Sequence, residues 1–294
     1  MFLYRRRLVC SALLALALAG CRESSQRARL RDDFGNPIAF WPVPSRIVSL
    51  NPATTEILFT IGAGSRLVGR SHYDLWPDSA RLIPDLGDGI RPNVEALLGA
   101  RPDLVVLYAS LDNRNAADRL RAAGINTLAL KTDHIAQFSS VTGLLGAILH
   151  DSARAQTVID SVRRTLDSVR RATKTLPHPT VFWHIWDAPL ITIGAGSFMS
   201  ELVSIAGARN VYQDITGASA QIALEDVARR DPDFVLAGPD GARQISSDPR
   251  LRIVRAVRNG KIIVVDTGMV ARPSVRLGEA AVSLAKALHP GLFK

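Results

Sequence analysis

Two glutamates, Glu95 and Glu225, open segments that repeat one another. The first reads Asn93-Val94-Glu95 and runs on to Pro102-Asp103-Leu104-Val105; the second reads Ala223-Leu224-Glu225 and runs on to Pro232-Asp233-Phe234-Val235. Glutamate, proline and aspartate share one offset of 130 residues (95 to 225, 102 to 232, 103 to 233). A carboxylate just inside a helix can serve in two ways. It can answer the partial positive charge of the unpaired N–H groups there, which is the simpler reading of either glutamate alone. As one of a matched pair on two similar lobes, it can be a negative post offered to a partner with two-fold symmetry. A repeat of this length, occurring once, indicates two lobes and not a solenoid. A second echo keeps the same order: Thr55-Glu56-Ile57 before Gly62-Ala63, and Ser200-Glu201-Leu202 before Gly207-Ala208. Both read as amphipathic helices stopped by glycine.

Aromatic and arginine residues gather in predicted loops after strands: Tyr73, Trp76, Arg91, Tyr108, Trp186, and the run Met269 to Arg276 with Arg272 inside it. Aromatic faces can cover a planar ligand, and guanidinium groups can meet its carboxylate or phosphate edge. Core packing competes as an explanation for each aromatic, and plain surface charge for Arg91, Arg272 and Arg276. Trp183 and Trp186 point to opposite faces of a regular strand, so at most one reaches a cleft. His72 and His184, with Asp74 and Asp187, are candidate ligands for a free metal. They lack ligand spacing on any one element, and a solvated or core role for each histidine is simpler. Gly194-Ala195-Gly196-Ser197 follows a strand and opens a helix as a dinucleotide loop would, but Met199 stands where the third glycine belongs. A tight strand-to-helix turn is the default reading. The sequence contains no zinc-protease, Cys-x-x-Cys, nucleophile-elbow or Walker motif. We therefore assign no catalytic residue, no cofactor and no resident metal.

The elements that must position these groups are legible in outline. Arg5-Arg6-Arg7, an apolar run from Leu8 to Ala19 and then Gly20-Cys21 read as a signal peptide over residues 1–20. Small residues before Cys21 resemble a bacterial lipobox, so Cys21 is the predicted lipidation site of an exported protein anchored at the cell envelope. Cys10 is the only other cysteine, which leaves the mature fold without disulfides. Residues 21–44 read as a tether and lead-in hairpin. Over residues 45–150 short apolar strands alternate with helices, with strands at Arg46–Leu50, Leu67–Val68, Leu104–Leu107 and Thr127–Leu130; the same grammar returns over 177–294. That alternation predicts α/β lobes with parallel sheets flanked by helices. Between them, residues 151–176 form one long predicted helix. Ala155, Val158, Ile159, Val162, Leu166 and Val169 make its apolar stripe, and Arg163, Arg164, Arg170 and Arg171 its other face. Apolar residues make up 47% of the 294 and charged ones 21%, a globular composition. The formal charge of +9 falls to +6 once Arg5, Arg6 and Arg7 leave. Its arginines are scattered, with no stripe that a nucleic acid would need, so nucleic acid is excluded as a partner.

With these features in place, the chain resembles the helical-backbone substrate-binding proteins of ABC importers, above all the vitamin B12-binding members. Arg46-Ile-Val-Ser-Leu-Asn-Pro-Ala-Thr-Thr-Glu56 is similar to the family's opening strand and helix, and Leu67-Val-Gly-Arg-Ser-His-Tyr73, followed by Pro77, to its second strand and ligand loop. Asn93-Val-Glu95 with Arg101-Pro-Asp-Leu-Val resembles the next helix and strand. The resemblance implies two Rossmann-like lobes joined by one helix, with cargo held between them. It implies that Glu95 and Glu225 dock on arginines of a dimeric permease, and that Tyr73 and Arg272 lie beside the cargo. Where the vitamin B12 binders carry tryptophan six residues before each glutamate, this chain has Gly89 and Ser219; Gly268 replaces an aspartate near Arg272. The expected cargo is cobalamin or a related corrinoid, with a ferric siderophore or haem as the alternative. A free-metal receptor and a nucleotide-using α/β enzyme are the more distant readings.

Overall fold

The computed structural model describes residues 31–38 and 42–293; the predicted signal peptide and Cys21 lie outside the described residues. The first lobe alternates β1 (Ile47–Ser49), α1 (Pro52–Thr60), β2 (Leu67–Arg70), α2 (Val94–Gly99), β3 (Leu104–Tyr108), α3 (Leu111–Ala122), β4 (Asn126–Leu130) and α4 (Ile135–Ile148). Its sheet is parallel throughout, in the order β2-β1-β3-β4. Helix starts are set locally. The Asn51 side chain accepts from Ala53 N ahead of α1, Asn93 from Glu95 N and Ala96 N ahead of α2, and Ser110 from Asn113 N ahead of α3. The Ser110 cap sets the start of α3 at Leu111.

A single helix, α5 (Ser152–Thr173), leads to the second lobe. That lobe comprises β5 (Thr180–Asp187), β6 (Leu190–Ile193), α6 (Phe198–Ile205), β7 (Arg209–Asn210), β8 (Ser219–Gln221), α7 (Leu224–Arg230), β9 (Phe234–Ala237), α8 (Pro239–Ser247), α9 (Arg255–Arg258), β10 (Ile262–Val264), α10 (Thr267–Val270) and α11 (Leu277–Leu288). Here β10, β9, β5 and β7 are parallel, as the alternation predicts. The sheet then continues through β6 and β8, which run antiparallel. Both lobes are thus α/β around parallel strands, the second with an antiparallel extension the sequence pattern does not reveal.

Ala155, Ile159, Val162, Leu166 and Val169 of α5 are all buried, while Arg163, Arg164, Arg170 and Arg171 are exposed. Ala155, Val162, Leu166 and Val169 belong to one continuous core that includes Ile47, Val106 and Leu145 of the first lobe and Val181, Leu202 and Leu284 of the second.

The 130-residue repeat proves to be a structural device. Asp103 accepts from Ser45 N at 2.7 Å, Ser45 Oγ at 2.8 Å and Arg46 N at 3.0 Å, fastening the chain just before β1. Asp233 accepts from Thr180 N and Thr180 Oγ1, both at 2.8 Å, at the first residue of β5. The preceding prolines disfavour the helical conformation one residue earlier. In both copies that residue is left-handed: Arg101 has φ of 48° and Asp231 of 45°. Proline and aspartate therefore stop a helix and pin the strand beside it. Replacing Asp103 or Asp233 with alanine should each cost about 1–3 kcal/mol of stability, measured by urea unfolding, by leaving strand-start donors unpaired. Glu95→Ala, on the exposed surface, should shift the same curve by no more than about 0.5 kcal/mol.

Candidate functional site

Open parallel sheets bind ligands beyond the carboxyl ends of their strands. In the second lobe a cavity of about 720 Å³ lies there, lined by the last residues of β5, by residues that follow β9 and β10, and by Met199 of α6. Trp186 stands at its rim, 61% exposed, and its indole Nε1 donates to the Ala188 carbonyl at 3.2 Å. Trp183 is buried, yet it too contributes to the lining. The expectation that only one of the two tryptophans reaches the cleft assumed a regular strand. The pairing of β5 with β6 shifts register between His184 and Trp186, which breaks the alternation. His184 is buried against the cavity and shares a 2.7 Å hydrogen bond, Nε2 to Oδ1, with Asp187.

On the first lobe, the loops after β2 and β3 present Tyr73, 53% exposed, with Leu75, Ile90 and Leu111 also exposed. Arg91 is exposed beside Ile90. Tyr108, at the end of β3, is half-buried and donates its hydroxyl to Asp133 at 2.7 Å; burial, and then that carboxylate, push its phenol up to about 12. His72 pairs with Asp85 at 3.0 Å. The two histidines thus lie on different lobes, each with its own carboxylate. Among the described residues no group of three or more metal-ligating side chains stands together. The Gly194 loop is filled by its own chain, since a Cβ on Gly194 would fall 2.2 Å from the Gly217 carbonyl oxygen. That close approach explains the glycine by packing.

The lobes also touch directly where α1 and the loop after β2 meet the segment that follows α10. Arg272 Nε donates to Glu56 Oε1 at 2.6 Å, and Ser274 Oγ donates to Glu56 Oε2. Arg276 lies 5.6 Å from the Trp76 ring centroid and pairs with Asp266 and Glu279. Trp76 and Arg272, both expected to face cargo, are therefore engaged between the lobes. Buried beneath this junction, Asp74 accepts from Thr55 Oγ1, Ser71 N and Ser71 Oγ. Its burial outweighs these hydrogen bonds and raises its pKa to about 6. The sequence reading named Asp74 only as a candidate metal ligand and Glu56 only as part of a helix echo, and it gave Ser274 no role; none was expected at a contact between lobes. The available signal was a lone charge in α1, whose residues Ala53 to Leu58 are buried on every side.

Glu95 is exposed and pairs with Arg119 of α3 at 3.1 Å. Glu225 is exposed near the start of α7 and has no side-chain partner among the described residues. The other echo diverges: Glu56 is buried and Glu201 exposed, although Gly62 and Gly207 both end their helices with positive φ, 85° and 78°.

Two α/β lobes joined by one helix, with an apolar cavity at the strand ends near their junction, define a bilobed binding protein. Residues 47–267 match the model of the family described as Periplasmic binding protein, and the chain belongs to that family. Similar proteins include the uncharacterized ABC transporter substrate-binding lipoprotein YvrC of Bacillus subtilis, 28% identical over 96% of each chain. A cobalamin-binding protein of Halobacterium salinarum is 27% identical over 84% of this chain and 70% of its own. Among solved structures, a periplasmic heme-binding protein of Pseudomonas aeruginosa superposes with a TM-score of 0.75 at 25% identity, covering 85% of this chain and 94% of that one. The periplasmic vitamin B12-binding protein of Vibrio cholerae gives 0.72 at 23% identity, covering 84% and 97%. That last likeness is one of fold.

Asp74 yields a pH test. A carboxyl that holds its proton more tightly when folded stabilises the fold below its unfolded pKa, and that contribution is lost as pH rises through the folded value. For Asp74 the window runs from 3.8 to about 6. Between pH 4 and 7 the wild type should lose about 2 kcal/mol more urea stability than Asp74→Asn does. Parallel pH profiles would show that Asp74 titrates normally.

Proposed function

We propose that the protein is the substrate-binding component of an ABC importer. It is exported, lipid-anchored through Cys21, captures cobalamin or a related corrinoid between its lobes and delivers it to a dimeric permease. The cavity beneath Trp186 carries this reading. It is large, it lies at the strand ends, and its lining includes Trp183, Ile185, Met199, Val265 and Val270. Such a wall suits the broad apolar face of a planar chelate.

Charge favours a corrinoid over a ferric siderophore or haem. Arg272 and Arg276 both have carboxylate partners, which among the described residues leaves Arg91 as the exposed arginine of these loops without one. A cargo with several carboxylates, or an anionic siderophore, would need more free guanidinium groups than that. The relatives named for cobalamin or vitamin B12 agree with this choice. Glu95 and Glu225, near the starts of matched helices on the two lobes, are the proposed docking posts for the permease.

The decisive experiment mixes the purified protein with cobalamin, haem and ferric siderophores in turn and follows the colour through gel filtration. Cobalamin should co-elute; retention of haem or a siderophore instead would replace the cargo assignment. Alanine at Tyr73 or Trp186 should weaken cobalamin binding about tenfold or more, equivalent to about 1.4 kcal/mol, by fluorescence titration. Exchanging both Glu95 and Glu225 for arginine should leave that affinity intact and abolish uptake by cells. Lost affinity would place the glutamates in the cleft.

A further inference from the structure

The second cavity wall is held by a residue of the first lobe. Glu56 lies inside α1, 1% exposed, and both of its oxygens are taken up by groups from across the junction. Arg272 reaches Oε1 with Nε, and its Nη2 donates back to the Gly268 carbonyl at 3.3 Å. The guanidinium therefore ties the carboxylate of one lobe to the backbone of α10 in the other. Ser274, 1% exposed, completes the cradle on Oε2. Thr267, Val270 and Ala271, all within the tied segment, line the cavity. A carboxylate this deeply buried is tolerated only when paired and hydrogen-bonded, so the arrangement has one well-defined geometry. Apart from this contact and the Arg276–Trp76 stacking, nothing in the segment 267–276 hydrogen-bonds or ion-pairs with the first lobe among the described residues.

We infer that Glu56 is a positioning residue for the cargo cavity: through Arg272 and Ser274 it fixes the 267–276 segment that forms one cavity wall. Arg272 then serves as a strap between lobes, and cargo meets the wall it holds. That the cavity takes cargo rests on the proposed function above; the strap itself does not.

Hydrogen–deuterium exchange of the full chain tests it without any ligand. Glu56→Gln keeps the shape and removes the charge, so the amides of residues 269–277 should exchange about tenfold faster or more. The amides of β9, in the same lobe, should be unchanged. A role confined to the first lobe would accelerate only α1 and its neighbours. Arg272→Met should accelerate the same amides, and the double variant should be no worse than either single one. Unchanged exchange over 269–277 in Glu56→Gln would overturn the strap. Cobalamin titration supplies the second arm, where Glu56→Gln and Arg272→Met should both weaken binding about tenfold. Loss of affinity in Arg272→Met alone would make Arg272 a direct cargo contact and overturn the positioning role. If Glu56→Gln unfolds, Ser274→Ala, which retains the ion pair, decides: faster exchange over 269–277 supports the strap and no change sinks it. Should the wild type bind no cobalamin, the cargo assignment fails while the exchange result still stands.

Discussion

The buried stripe of α5 is the contact on which both lobes depend, because it joins one face of each in a shared core, beyond the separate cluster that each lobe keeps. Ala155, Val162, Leu166 and Val169 lie in the same continuous apolar cluster as Leu145 on one side and Leu284 on the other. Truncating a buried leucine typically removes about 2–5 kcal/mol, an appreciable share of the stability of any domain. Large hinge opening would tear that core, whereas a few extended linkers would not resist it.

A stiff spine has a consequence for the site. If the lobes keep nearly one relative position, the cavity must be shaped in advance, and the residues that shape it need anchoring from both sides. Glu56 with Arg272 and Ser274 meets that need on the junction side, and the stacking of Arg276 on Trp76 adds a second contact. The cavity walls themselves are supplied by the second lobe, while Tyr73 and Ile90 stand exposed on loops of the first.

Much of the framework could be read from the chain because period and punctuation are local properties. The helix α5 follows from a three-to-four spacing uninterrupted by glycine or proline, and the parallel strands from short apolar runs between helices. Two helices were harder to see. Pro239-Asp240-Gly241 carries turn residues where α8 begins, and α4 is apolar along much of its length, which blurs its periodicity. The antiparallel pair β6 and β8 is short and joined through other elements, so no run of sequence announces it. The site divides in the same way. Residues defined by a loop position, such as Tyr73 and Trp186, were visible, and both are exposed near the strand ends. The partners of Arg272 were not, because Glu56 is 216 residues away and only tertiary structure brings them together. For the same reason the repeat was legible as a pattern while its purpose, the pinning of β1 and β5 by Asp103 and Asp233, was not.

The small loop at residues 31–38 closes on itself through a bridge between Arg31 and Pro37 and lies along β4. Asp33 N donates to the Ala129 carbonyl, Ala129 N donates to Asp32, and Lys131 N donates to Asp33. Since β4 is the outermost strand of its sheet, these bonds occupy backbone groups that would otherwise be open to another chain. An uncovered strand edge is a template for pairing between molecules. By occupying those groups, residues 32 and 33 make the edge of β4 a poorer template for a second copy of the chain.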